Sequence, residues 1–151
     1  MQHTEDAEDE SLSAITITRR LACPAEDVWA AITEAQRIAA WWGDYVSLEA
    51  RPGGAFRETW RDETGREVIT AGTVDAVDPP RRLSLRWKDA DWPVETQVTF
   101  RIDRDGDGVA LTLIHEGWGR FPKDGAALRQ AHDAGWRHHL DNLADLLGGA
   151  R

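Results

Sequence analysis

Between Asp44 and Glu116 five turn signals cut the chain into short stretches: Pro52-Gly53-Gly54, Glu63-Thr64-Gly65, Asp78-Pro79-Pro80, Asp91-Trp92-Pro93 and Asp105-Gly106-Asp107-Gly108. Gly and Pro at such intervals stop a helix before it propagates, and the stretches between them alternate apolar and polar residues. This predicts six strands, near residues 44–50, 55–62, 66–78, 82–88, 94–103 and 108–116. Their connections are too short for parallel crossovers, so the strands must run as an antiparallel meander.

The flanks supply the remaining elements. Residues 14–21 alternate with β-branched enrichment and predict one more strand. Pro24, followed by Glu26 and Asp27, opens a helix to about residue 33, and a second short helix covers 34–41 before Gly43. Residues 124–147 form a long helix in which Leu128, His132, Trp136, His139, Leu140, Leu143, Leu146 and Leu147 share an arc of roughly 120°. The fold class is therefore α+β: a curved antiparallel sheet of about seven strands wrapped around a long C-terminal helix, with two short helices after the first strand. A curved sheet closed by one helix leaves a space between them, and such mouths are common small-molecule sites.

The 151 residues suit one domain, expected over residues 14–151, preceded by an acidic tail over residues 1–13 that is expected to be disordered. With 18 basic against 27 acidic residues, the chain is unsuited to neutralising phosphates, so no nucleic-acid partner is expected. No apolar run approaches the roughly 20 residues that cross a bilayer, and the acidic start is unlike a signal peptide. No membrane insertion and a cytoplasmic location are expected. Cys23 stands alone, without a partner for a disulfide or a zinc site, and no GxGxxG, GxxxxGK[ST] or GxSxG motif occurs. No cofactor is implied.

Several pieces, weak singly and specific in their order, carry a resemblance over about residues 14 to 147. They are Pro24-Ala25-Glu26-Asp27-Val28-Trp29, Ala40-Trp41-Trp42-Gly43, Pro52-Gly53-Gly54-Ala55-Phe56 and Gly72-Thr73-Val74-Asp75-Ala76-Val77-Asp78-Pro79. Further along come Leu83-Ser84-Leu85-Arg86-Trp87, Val98-Thr99-Phe100, Leu111-Thr112-Leu113-Ile114-His115, and Gly135-Trp136 with Leu140 and Leu143. The chain resembles the START-like, helix-grip superfamily called SRPBCC, and within it the homologues of the heat-shock-protein ATPase activator's C-terminal domain. The resemblance implies the helix-grip fold and a cavity. Its relatives include lipid carriers, hormone receptors, polyketide cyclases and co-chaperone domains, so it does not select one activity.

Strand parity identifies inward side chains independently of that resemblance. The inward sets are Phe56, Glu58 and Trp60; Leu83, Leu85 and Trp87; Val94, Thr96, Val98, Phe100 and Ile102; and Val109, Leu111, Leu113 and His115. Trp41, Trp42 and Trp118 join them from loops, and His132, Trp136 and His139 from the helix arc. The ligand-binding candidates are thus Trp41, Trp42, Phe56, Glu58, Trp60, Leu85, Trp87, Phe100, Leu113, His115, Trp118, His132, Trp136 and His139. Glu58, His115, His132 and His139 are polar groups on apolar faces: they could orient a ligand or move a proton, or be hydrogen-bonded core residues. Of Trp41 and Trp42, one is expected in the core and one at the cavity mouth. Trp92, between Asp91 and Pro93, is expected on an exposed turn as a partner surface.

No metal site is expected. His132 and His139 lie two turns, or ~10.5 Å, apart on one helix and cannot share an ion directly. Asp103-Arg104-Asp105-Gly106-Asp107-Gly108 begins like a calcium loop, but its twelfth position is Ile114, so an acidic hairpin turn is expected instead.

Three functions follow in order. The first is binding of a hydrophobic or aromatic small molecule in the cavity. The second is a cyclase- or dehydratase-like enzyme using Glu58 or His115 as acid or base. The third is a protein-interaction module with a chaperone or a second copy as partner; the additional N-terminal domain of the eukaryotic activators is not expected here, which places this reading last.

Overall fold

The computed structural model describes residues 11–148. The chain runs β1 (Ile15–Leu21), α1 (Ala25–Thr33), α2 (Ala35–Trp41), β2 (Val46–Leu48), β3 (Ala55–Arg61), β4 (Glu67–Asp78), β5 (Arg82–Asp89), β6 (Thr96–Asp105), β7 (Gly108–Glu116), a 3-10 turn (Trp118–Arg120) and α3 (Gly125–Leu146). The strands form one antiparallel sheet in the order β1-β7-β6-β5-β4-β3-β2. The element order expected from the turn signals is thus the observed one.

The sheet curves around α3, which buries Trp136, Leu140, Leu143 and Ala144 against it. The short helices cap one end, with Val28, Ala31 and Ile32 of α1 and Ile38 and Trp41 of α2 turned into the same core. Period two predicts the strand faces well: Leu83, Leu85 and Trp87, and Val98, Phe100 and Ile102, are all buried. Leu146, placed in the apolar arc of the helix, is instead exposed, while Leu143 and Ala144 of the same turn are buried.

The acidic tail expected at residues 1–13 lies largely outside the described residues. Of its last three, Ser11 and Leu12 are helical, and Leu12 packs against the core. Asp103 to Gly108 closes the β6–β7 hairpin, with Asp105 paired to Gly108 and Gly106 at φ +61°. Asp103 and Asp105 bind Arg101 and Arg20, respectively. No described helix is long and apolar enough to cross a membrane.

Candidate functional site

Two rows of paired residues cross the concave face of β3, β4 and β5. In the first, Phe56 pairs with Gly72. A Cβ at Gly72 would lie 1.7 Å from the Arg86 carbonyl oxygen, so only glycine lets β4 and β5 approach there. With no side chain between them, Phe56 and Trp87 stack, their centroids 5.0 Å apart at 22°. In the second row Glu58 pairs with Thr70, and Thr70 with Asp89. Directly paired residues project from the same face, so two carboxyl groups flank one hydroxyl.

Opposite these rows α3 presents His132, Gly135, Trp136 and His139. A Cβ on Gly135 would meet nothing within 4 Å. The gap between helix and sheet is a cavity of about 270 Å³, lined by Trp42, Tyr45, Glu58, Trp60, Thr70, Trp87, Asp89, Ala131, His132, Gly135, Trp136 and His139. Its size is just below the ~300 Å³ at which small-ligand pockets commonly begin. Trp42, Trp87 and Trp136 form the apolar floor, with centroids 5.2 to 6.0 Å apart. Tyr45 and Trp60, 38% and 37% exposed, stand at the rim.

The polar groups of this cavity are poised away from their ordinary ionisation. Glu58, 7% exposed, accepts a hydrogen bond from Trp42 Nε1 at 2.9 Å. Burial pushes its carboxyl up to about 7, Asp89 adding to the rise and the Trp42 bond opposing it. Asp89 accepts from the Thr70 hydroxyl. Burial raises its pKa too, against the lowering effects of that bond and of His132. His132 Nδ1 lies 2.8 Å from the Leu128 carbonyl, which can only accept, so Nδ1 carries the proton and Nε2 is left as an acceptor. Burial holds His132 below its ordinary value and brings His139 to about 4, with His138 adding to the latter shift. Both imidazoles are therefore neutral at neutral pH. Trp87 Nε1 and His139 Nδ1 are buried without a hydrogen-bond partner.

His115 belongs to a different structure behind the floor. It is 0% exposed, and its two ring nitrogens are both engaged. Trp136 Nε1 donates to Nδ1 at 3.0 Å, which leaves the proton on Nε2, 2.7 Å from Thr96 Oγ1. Thr96 in turn donates to the Trp87 carbonyl, and Trp118 Nε1 to the His115 carbonyl. Burial and His132 hold the ring far below its usual pKa. His115 therefore orients the tryptophans that line the cavity without lining it.

Seven of the fourteen expected binding residues line the cavity: Trp42, Glu58, Trp60, Trp87, His132, Trp136 and His139. Phe56, Leu85, Phe100 and Leu113 are core residues beneath them, and Trp118 is fully buried beside His115. Trp41 donates to the Ala31 carbonyl and staples the two short helices, so both members of the tryptophan pair are buried and neither is at the mouth. Trp92 corrects another expectation. It is 6% exposed, turned inward against Phe121, Trp118 and His132, because the turn from Asp89 to Trp92 folds its ring onto the 3-10 segment.

Sequence parity passed over Tyr45, Thr70, Asp89, Ala131 and Gly135. Asp89 shares the parity of Leu85 and Trp87 and sits one residue past the predicted end of its strand. Thr70 was ambiguous because Val68 and Ile69 are adjacent, leaving either face of β4 apolar. Gly135 and Ala131 give no periodicity signal, since their contribution is the space they leave.

Comparisons with known proteins agree with this architecture. The family model for Activator of Hsp90 ATPase homolog 1-like protein matches residues 22–148. Protein C1711.08 of Schizosaccharomyces pombe is 24% identical over 96 residues, which is 62% of this chain and 26% of that protein. The chain thus spans about a quarter of that curated relative. Among solved structures, CalU16 from Micromonospora echinospora aligns with TM-score 0.71 and 27% identity, covering 89% of this chain and 75% of that one. DynU16, from the dynemicin biosynthetic locus, aligns with TM-score 0.72 and 27% identity over 89% of this chain and 47% of its own. MLL2253 from Mesorhizobium loti shares the fold at TM-score 0.74 and 24% identity, over 90% of this chain and 97% of its own.

Proposed function

The chain belongs to the Activator of Hsp90 ATPase homolog 1-like family, and from that premise we propose that it is a binding domain whose cavity between sheet and α3 takes a small, largely hydrophobic ligand. The observation that carries this reading is Gly135. A glycine inside a helix costs roughly 0.5–1 kcal/mol relative to alanine. Here no close packing requires it, because a Cβ would meet nothing within 4 Å. The missing side chain leaves the helix side of the cavity clear, in the same space that Glu58 lines from the sheet. The rim supports the same reading, since Tyr45 and Trp60 are two of the three large hydrophobic residues left exposed among the described residues.

The test compares the wild type with Gly135→Leu in a thermal-shift screen of aromatic and lipid-like compounds. Ligands that stabilise the wild type and not the variant support the cavity. Stabilisation that is equal in both, or absent at high ligand concentration, removes it.

A second reading has one specific observation behind it. Glu58, with its pKa near 7 in an apolar cavity, has the properties of a general acid or base, and proton transfer on a bound carbonyl compound would use it. In this reading Glu58→Gln abolishes turnover while ligand still binds; turnover that survives the substitution removes it. The location of DynU16 in a biosynthetic locus is compatible with either reading. The interaction-module reading loses its expected surface residue with the burial of Trp92.

A further inference from the structure

We propose that the ligand of this cavity is an organic cation, a protonated amine on an aromatic or alkyl body, with its ammonium group set against Glu58 and Asp89. This rests on the cavity being a ligand site and specifies the chemistry of what enters it.

The cavity has an unbalanced set of acids. Glu58 and Asp89 face one another across Thr70 on the concave row, and no Lys or Arg lines the cavity. Among the described residues neither carboxyl has an ion pair, whereas surface acids such as Asp75, Asp133 and Asp141 do. Burial holds both nearby imidazoles below their ordinary values, and although His132 eases the ionisation of Asp89, the rise that burial imposes on that carboxyl outweighs it. An uncharged apolar ligand would take both acids further from water without a countercharge, at a desolvation cost. An anion would add like charge. An ammonium offers hydrogen-bond donors to both carboxyls and a charge that the faces of Trp42, Trp87 and Trp136 also attract. Trp60 at the rim adds a further indole face where such a ligand would enter.

The same geometry gives the binding a pH dependence. Glu58 is faced by Thr70 from β4, Asp89 from β5, Trp42 at the end of α2, Tyr45 before β2, and His132 and His139 from α3. Bringing an ammonium to Glu58 favours its ionised form, so binding releases a proton near the value of about 7 that burial imposes. Affinity for an amine should then rise about tenfold from about pH 6 to about pH 8, while an uncharged analogue shows no such rise.

The experiment uses the full chain and three probes of one shape, naphthylmethylamine, naphthylmethanol and naphthoate, titrated by calorimetry in two buffers of different ionisation enthalpy. The amine is expected to bind at least about tenfold tighter than the alcohol, with naphthoate weakest and proton release seen for the amine alone. Glu58→Gln and Asp89→Asn should each reduce the amine's advantage over the alcohol; circular dichroism establishes that each is folded, and proton release by the wild type stands as a test without any variant. Equal binding of amine and alcohol overturns the cation and leaves the cavity reading standing. Absence of binding by every probe, together with thermal-shift ligands that ignore Gly135→Leu, overturns both.

Discussion

The indole Nε1 of Trp136 donates to Nδ1 of His115 across 3.0 Å, so a helix residue that lines the cavity is held by a strand residue that does not. Because an indole nitrogen can only donate, this bond requires a neutral histidine. The protein therefore sets the position of its cavity floor through a buried network on the far side of it.

His115→Ala should lower unfolding stability by about 3 kcal/mol, since it leaves a cavity and strands the Trp136 donor. Urea denaturation measures the loss. Affinity for cavity ligands, read well below the melting temperature, should change far less than in Glu58→Gln. A larger loss of affinity than of stability would assign His115 to the ligand.

Glu58 gives a pH signature of definite sign. Its folded value, about 7, lies above the ordinary ~4.3 of a glutamate, so the folded state holds a proton that the unfolded chain has lost across that window. Its contribution to stability is complete below about pH 4 and is lost as pH rises through about 7. Wild type should lose about 3 kcal/mol relative to Glu58→Gln between those limits, by melting at several pH values.

The histidines run the other way. His115, His132 and His139 are depressed in the fold, so their contribution is complete above the ordinary value of about 6.5 and is lost as the unfolded chain takes up protons below it. Three depressed histidines outweigh one raised glutamate, so wild-type stability should fall as the solution is acidified below about pH 6.5, and Glu58→Gln, which lacks the opposing contribution, should fall more steeply. Parallel profiles for the two proteins would contradict the Glu58 assignment, and a Glu58→Gln profile that stays flat below about pH 6.5 would contradict that of the histidines.

Gly135→Ala should raise stability by roughly 0.5–1 kcal/mol while narrowing the cavity, a gain in helix propensity with no clash to offset it. Gly72→Ala should do the opposite, costing at least about 2 kcal/mol, because its Cβ meets the backbone of β5. Near-ultraviolet circular dichroism should change in Gly72→Ala, as Phe56, Trp87 and Trp42 lose their stacking, and should change little in Gly135→Ala.

Iodide should quench Trp60 most strongly, and Trp60→Phe should remove that component, because Trp60 is exposed at the rim, Trp29 is half-buried and Trp92 is covered by Phe121 and Trp118. Quenching that survives Trp60→Phe and disappears in Trp92→Phe would reverse the two assignments.

The amino-acid sequence by itself determined the order of strands and helices, the antiparallel meander, and which side of β3, β5, β6 and β7 turns inward, but not that of β4. These are local properties: turn residues stop a helix, and a period of two fixes the face of every residue once a strand exists. Glu58, Trp87 and His115 were all legible as inward for that reason. Only the tertiary structure decided their depth. The curvature of the sheet and the packing of α3 put Glu58 into an open space and His115 behind Trp87 and Trp136, although both lie on the apolar faces of their strands. The same holds for Asp89, brought beside Thr70 by strand pairing, and for Trp92, whose ring a turn folds inward. Parity states a direction for each side chain, while the distance to the next layer is a property of how the layers meet.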